Sequence, residues 1–176
     1  MTLKTTSHTD PSSLSLPIHF GPQLFLICGF IGSGKTTISL ELADREKAVR
    51  LTLDEWVNKL YGAEASKITE FDPQERVKEV MWQVAEGCLR LGTSVVLDWG
   101  FWAQRERDTY RKMAEAIGAT PKLIFVDCCK QQCLERVLQR NLACDERSVI
   151  INPDELELWW RVFEPPLGEE CDKKST

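Results

Sequence analysis

No apolar run in this 176-residue chain approaches the roughly 20 residues that a membrane-crossing helix requires, and the expectation is a protein without a membrane span. Positive charge is also short: 22 Lys and Arg stand against 27 Asp and Glu. The resulting net charge of −5 gives no general attraction for nucleic acid or acidic lipid, so a nucleic-acid partner is disfavoured, though a local basic channel would still permit one. Histidine is limited to His8 and His19, both close to the N-terminus, which removes the usual imidazole ligands of a zinc site. No two of the seven cysteines have C-x-x-C spacing, and their number is odd. Several fall inside expected strands or helices, so they read as reduced, packed thiols of a cytoplasmic protein. Neither internal repeats nor a second domain can be discerned.

What the chain does have is a complete phosphate-binding loop. Gly29, Gly32, Gly34, Lys35 and Thr36 lie in LFLICGFIGSGKTT, residues 24–37, with the spacing G-x-x-x-x-G-K-T. The apolar run from Leu24 to Cys28 suits a parallel strand buried on both faces, and Thr37 to Ala43 reads as the following helix. Glycines let the backbone of Gly29, Ile31, Gly32, Ser33 and Gly34 curl around an anion. Lys35 supplies a point charge, and the helix N-terminus near Thr36 and Thr37 adds N–H groups and a positive dipole end. The Thr36 hydroxyl is placed to ligate magnesium. The expected ligands are ATP, or another nucleoside triphosphate, and Mg²⁺.

With 43% hydrophobic residues the chain can bury one α/β core of its own. Residues 1–21, rich in Ser, Thr and Pro, are expected to be a flexible tail; 22–168 a single domain; and 169–176 a second tail. Further strands are expected at 48–53, 94–97 and 123–127, which predicts a wound parallel sheet of four strands, or five if Val149 to Ile151 forms an edge. The longest helix starts at Asp72 as N-cap, with Pro73 at the first helical position and Glu75 completing a capping box. Its expected buried stripe is Val77, Val80, Met81, Val84, Cys88 and Leu91. Other helices are expected at 103–117, at 130–141 and after Asn152.

Ligands of open parallel sheets bind beyond the carboxyl ends of the strands, so acids there are the first candidates for chemistry. Asp54, closing the second strand, is the candidate general base for an attacking hydroxyl. Asp98, after the apolar run of the third strand, has the form of a Walker B acid for the metal. Helix capping is the plainer role for Asp54, and for Asp127 it is the preferred one. Arg136 and Arg140, one helical turn apart, are candidate cations over the transferred phosphoryl group, and Asn141 to Ser148, with Arg147, would be a short lid. Trp56, Trp99 and Trp102 flank the two acids and are candidate acceptor contacts, with core packing as their alternative.

Taken together, GFIGSGKTT, LDEW after the second strand, LDWGFWAQRERD after the third, LERVLQRN and the late FEPP resemble the AAA_33 class of P-loop kinases. These are related to zeta toxins, polynucleotide 5′-kinase domains and chloramphenicol phosphotransferase. The resemblance spans Leu24 to about Pro166 and implies a three-layer P-loop fold of the nucleoside- and adenylate-kinase-like type. It implies that Lys35, Thr36 and Asp98 hold MgATP, that Asp54 is base or substrate anchor, and that Arg136 and Arg140 contact phosphates. Arg105 resembles an arginine placed near the substrate or lid. The expected activity is transfer of the γ-phosphoryl group to a hydroxyl of a small molecule, by a monomer or dimer. A polynucleotide 5′-kinase or sugar-nucleotide kinase, and a plain ATPase or nucleotide-gated module, remain as alternatives.

Overall fold

The computed structural model describes residues 21–62, 65, 68–142, 151–168 and 173–175. Five strands form one sheet: β1 (Gln23–Cys28), β2 (Val49–Thr52), β3 (Val95–Gly100), β4 (Thr120–Val126) and β5 (Lys173–Ser175). Their order is β2-β3-β1-β4-β5, and every pairing is parallel. Six helices connect or cover them: α1 (Lys35–Glu46), α2 (Leu53–Tyr61), α3 (Pro73–Arg90), α4 (Gln104–Ala116), α5 (Lys130–Leu142) and α6 (Pro153–Val162). Among the described residues no helix is long and apolar enough to cross a membrane.

The unbroken apolar run of β1 is explained by burial on both faces. Leu24, Leu26 and Cys28 join the core shared with α2, α3 and α4, whereas Phe25 and Ile27 join a second core under Ile38 and Leu42 of α1. A third cluster gathers Phe30 with residues of α5 and α6, beside the end of β1. This layered arrangement is the P-loop three-layer fold expected. Each fully buried side chain such as Leu26 or Met81 stabilises it by about 1.5–3 kcal/mol.

Several local expectations are corrected. The fifth strand is Lys173–Ser175, inside the stretch read as a polar tail, and it pairs with Ile124 to Val126 of β4. Ile151 lies outside any strand, and Val149 and Ile150 are outside the described residues. Edge strands draw their energy from main-chain bonds on one side, so an apolar run is not required there. On α3 the buried set is Val77, Met81, Ala85 and Leu89, whereas Val80, Val84 and Leu91 are exposed. The helix rests on a stripe narrowed to i, i+4 steps. Asp72 does cap α3, accepting from Gln74 N and Glu75 N, but Glu75 turns outward to Lys78 at 2.9 Å rather than back to the cap. A full capping box appears instead on α6, between Asn152 and Glu155.

Candidate active site

The loop of residues 29–34 leaves β1 and enters α1, and its glycines are fixed by crowding. A Cβ at Gly29 would lie 2.7 Å from Ser33 Oγ and 2.9 Å from Val126 O. At Gly32, with φ of 81°, it would lie 2.6 Å from Cys133 O, because α5 packs directly on the loop. Gly34, with φ of 102°, is the N-cap of α1, which has no side-chain cap and no acid in its first turn. By contrast α2, α3, α4 and α6 all carry acids in theirs. An N-terminus left without carboxylates is suited to an external anion.

Lys35 extends back over the loop, and its Nζ donates to Phe30 O at 2.8 Å. The lysine therefore has a main-chain partner of its own in the loop. Burial lowers its pKa, while the nearby Asp98 and Asp54 carboxylates act in the opposite direction. Thr36 and Thr37 are exposed in the first turn of α1, Ile31 is half-buried, and Ser33 is buried.

The chain turns into α2 earlier than expected. β2 ends at Thr52, which is the N-cap and makes no side-chain cap bond, so Asp54 sits within the first helical turn and is not the capping residue. Its carboxyl keeps access to water, yet it is crowded enough that burial raises its pKa; Lys35 opposes the rise, Asp98 adds to it, and Arg140 opposes it. Lys35, Asp98 and Arg140 thus lie within electrostatic reach of Asp54. Asp98 lies within β3 rather than after it, in register with Ile27 and Thr52, and is 4% exposed. Its Oδ2 accepts from Ser39 Oγ at 2.6 Å and from Arg50 Nη2 at 3.4 Å.

Arg136 reaches the loop itself, donating to Ser33 O at 3.1 Å and Gly32 O at 3.3 Å, with Cys128 Sγ 3.5 Å away. Arg140, one turn later, has a buried Nε without a protein acceptor. Residues 143–148 of the expected lid, Arg147 included, are outside the described residues, but its base is held: Asn141 Nδ2 donates to Ile151 O at 2.8 Å. Ser33 Oγ and Thr52 Oγ1 are likewise buried without partners. Buried polar atoms seldom stay unpaired, so this set suits a phosphate chain and a hydrated cation, with Thr36 and Asp98 as oxygen donors of the hard type that magnesium takes.

The aromatic candidates are mostly occupied in packing. Trp102 Nε1 donates to Gly29 O at 3.2 Å, and its ring stacks on Phe30 with centroids 5.3 Å apart. Trp99 stacks on Phe101 at 5.0 Å and meets Tyr110 edge-on, with its Nε1 buried and unpartnered. Trp56 is half-buried against the main core. Arg105 is exposed on α4 beside Asp108, Thr109 and Lys112, and no described contact brings it to the loop. Two arginines escaped the sequence reading. Arg50 interrupts an apolar strand, which is itself a signal; Arg107, two positions after Arg105 on α4, is 1% exposed and holds the segment after β3.

No curated relative matches the chain. Among solved structures it is similar to Kti12 of Chaetomium thermophilum in complex with ADP-AlF3, at 15% identity and a TM-score of 0.67, covering 86% of each chain. A gluconokinase from Sinorhizobium meliloti is 17% identical over 87% of this chain and 80% of that one, with a TM-score of 0.58. The Mycobacterium tuberculosis APS kinase CysC in complex with AMPPNP and APS is 18% identical over 71% and 73%, with a TM-score of 0.53. At such identities the likeness is one of fold, whereas the sequence profile of one family, described as an AAA domain, spans residues 24–166. On that match the chain belongs to the AAA_33 family, with the fold of the P-loop kinases.

Proposed function

We propose that the protein is an ATP-dependent kinase that transfers the γ-phosphoryl group of MgATP to a hydroxyl of a small molecule. The carrying observation is that Asp54, in the first turn of α2, lies within electrostatic reach of the loop lysine Lys35, of Asp98 and of Arg140. A nucleotide-binding module needs the loop alone; a kinase also needs an acid positioned beyond the γ-phosphate.

In this reading the backbone of Gly29 to Thr37 cradles the β- and γ-phosphates, and Lys35 exchanges its Phe30 carbonyl for phosphate oxygens. Thr36 and Asp98 would hold magnesium, which would supply positive charge to neutralise the phosphates. Asp54 accepts the proton of the attacking hydroxyl as the oxygen closes on phosphorus. Arg136, anchored on the loop, and Arg140, beside Asp54, stabilise charge on the transferred group. The fold likeness to structures described as a gluconokinase and an APS kinase supports a hydroxyl acceptor of small size.

The test is incubation with γ-labelled MgATP and a pool of small hydroxylated metabolites, followed by product analysis. Label on an organic acceptor supports the proposal. Inorganic phosphate as the sole labelled product in every pool rejects it in favour of an ATPase, and label on an RNA or DNA 5′ end would reassign the acceptor class.

A further inference from the structure

Arg50 lies in the parallel edge strand β2, yet only 14% of its side chain is exposed. Desolvating a guanidinium there is costly unless its N–H groups are taken up. They are. Its Nε donates to Ser39 Oγ at 2.9 Å, and its Nη2 donates to Glu55 Oε1 at 2.8 Å and to Asp98 Oδ2 at 3.4 Å. Ser39, fully buried one turn into α1, can give its single hydroxyl hydrogen either to Asp98 at 2.6 Å or to Thr36 O at 3.0 Å. By donating into Ser39 Oγ, Arg50 fixes the rotor of that hydroxyl and favours the shorter, charge-assisted bond to Asp98.

Thus one planar fork joins β2, α1, β3 and the first turn of α2 beneath the loop. Glu55 clamps one edge of the fork, and it is the residue next to Asp54. Both contacts to Asp98 fall on the same oxygen, Oδ2, which sets the plane of the carboxylate. We propose that Arg50 is a positioning residue: through Ser39 and its own Nη2 it orients the Asp98 carboxylate for the metal that accompanies the nucleotide. This rests on the reading of Asp98 as the metal-side acid. A simpler role, in which Arg50 merely offsets the buried charge of Asp98, would need a cation but no fork.

The two roles separate in the magnesium-dependent part of nucleotide affinity, which needs no turnover and no acceptor. ATP binding is measured by titration calorimetry in EDTA and again in saturating Mg²⁺, for the wild type, Arg50→Met, Arg50→Lys and Asp98→Asn, with melting temperatures of each apoprotein alongside. Positioning predicts that Arg50→Met leaves the metal-free affinity within about twofold but cuts the Mg²⁺ enhancement by about tenfold, as loss of an outer-shell partner does. Arg50→Lys should restore the melting temperature but not the enhancement, because an ammonium has no planar fork to span Ser39, Glu55 and Asp98. Should Arg50→Met fail to fold, Arg50→Lys carries the test alone. Recovery of the full enhancement by lysine, or an unchanged enhancement in Arg50→Met while Asp98→Asn loses it, overturns the inference and leaves Asp98 standing. An enhancement unaffected in Asp98→Asn overturns both.

Discussion

Arg107 donates to the main-chain oxygen of Glu164 at 2.9 Å, across 57 residues of chain. The same guanidinium nitrogen reaches Phe101 O at 2.9 Å and Trp102 O at 3.1 Å, while the Glu164 carboxylate accepts from Gln104 N at 2.7 Å and so caps α4. Two sequence segments that resemble family motifs, LDWGFWAQRERD and FEPP, are thereby one structural unit. It holds Phe101 at a φ of 46° and Trp102 under the loop. Arg107→Met would take the guanidinium from three carbonyls, of which Trp102 O keeps Glu164 N and Phe101 O keeps the Cys28 thiol, and is expected to cost about 1–3 kcal/mol. Glu164→Gln, losing only the charge of the cap, should cost roughly 1 kcal/mol or less. Urea denaturation of both variants measures this; equal effects would show that the carboxylate, not Arg107, is the anchor.

Gly32 tests how tightly α5 is seated on the loop. An alanine there would need a left-handed φ and would press its Cβ against Cys133 O, a main-chain atom that cannot rotate away. Gly32→Ala is expected to lose about 1–3 kcal/mol of stability and most nucleotide affinity. Gly118→Ala also adds a Cβ at positive φ, but in open space, and should lose stability without touching affinity. Paired denaturation and ATP titration compare the two.

The loop, the sheet and both acids were legible because each depends on local chemistry: glycine spacing, double-faced apolar runs, an acid just beyond Leu97. Less legible was whatever is decided by distant partners. β5 is formed from Lys173 to Ser175, where backbone pairing to β4 outweighs composition. Leu91 joins the expected apolar stripe of α3 by residue type alone, but it lies past the helix end and is exposed. Trp102 lies near Asp98 in sequence, but its indole is spent on Gly29 O. Arg105 and Arg107 differ in sequence by two positions and in burial almost completely, since a two-residue step on a helix carries a side chain to the opposite face.

Lys35→Ala is expected to abolish MgATP binding while the protein stays folded. Removing the side chain loses one bond to Phe30 O, but burial already disfavours the lysine charge, so its loss at neutral pH should leave the melting temperature nearly unchanged. Calorimetric titration with ATP decides the matter. Wild-type affinity in the variant would remove this loop as the nucleotide site.

The two arginines of α5 should fail differently. Arg136 is bonded to Gly32 O and Ser33 O, so Arg136→Ala is expected to loosen the loop and weaken nucleotide binding as well as slow turnover. Arg140 bonds neither carbonyl and lies within electrostatic reach of Asp54, so Arg140→Ala should lower the rate by about 10² with little change in ATP affinity. Steady-state kinetics at saturating ATP beside direct binding separates the effects. Unchanged rates in both variants would return them to an ordinary exposed helix.

Asp54 divides a kinase from a nucleotide-gated switch, and its raised pKa makes the division measurable. A base must be ionised to accept a proton, so transfer should rise with pH through a pKa above the ordinary 3.8, the shift coming first from burial and opposed by Lys35. Asp54→Asn keeps the shape and abolishes that titration; the acid limb should disappear and transfer should fall by about 10² to 10⁴, with ATP affinity retained. Stability moves the other way. Because the folded pKa lies above the unfolded one, ionisation of Asp54 removes stability as pH rises through that window, and full stability is present only below the unfolded value. Asp54→Asn should therefore be at least as stable as the wild type at pH 7. Thermal melts from pH 3 to 8, with ATP affinity and acceptor phosphorylation measured on the same preparations, give all three readings. Undiminished transfer by the asparagine variant would show that another acid, or the substrate itself, handles the proton.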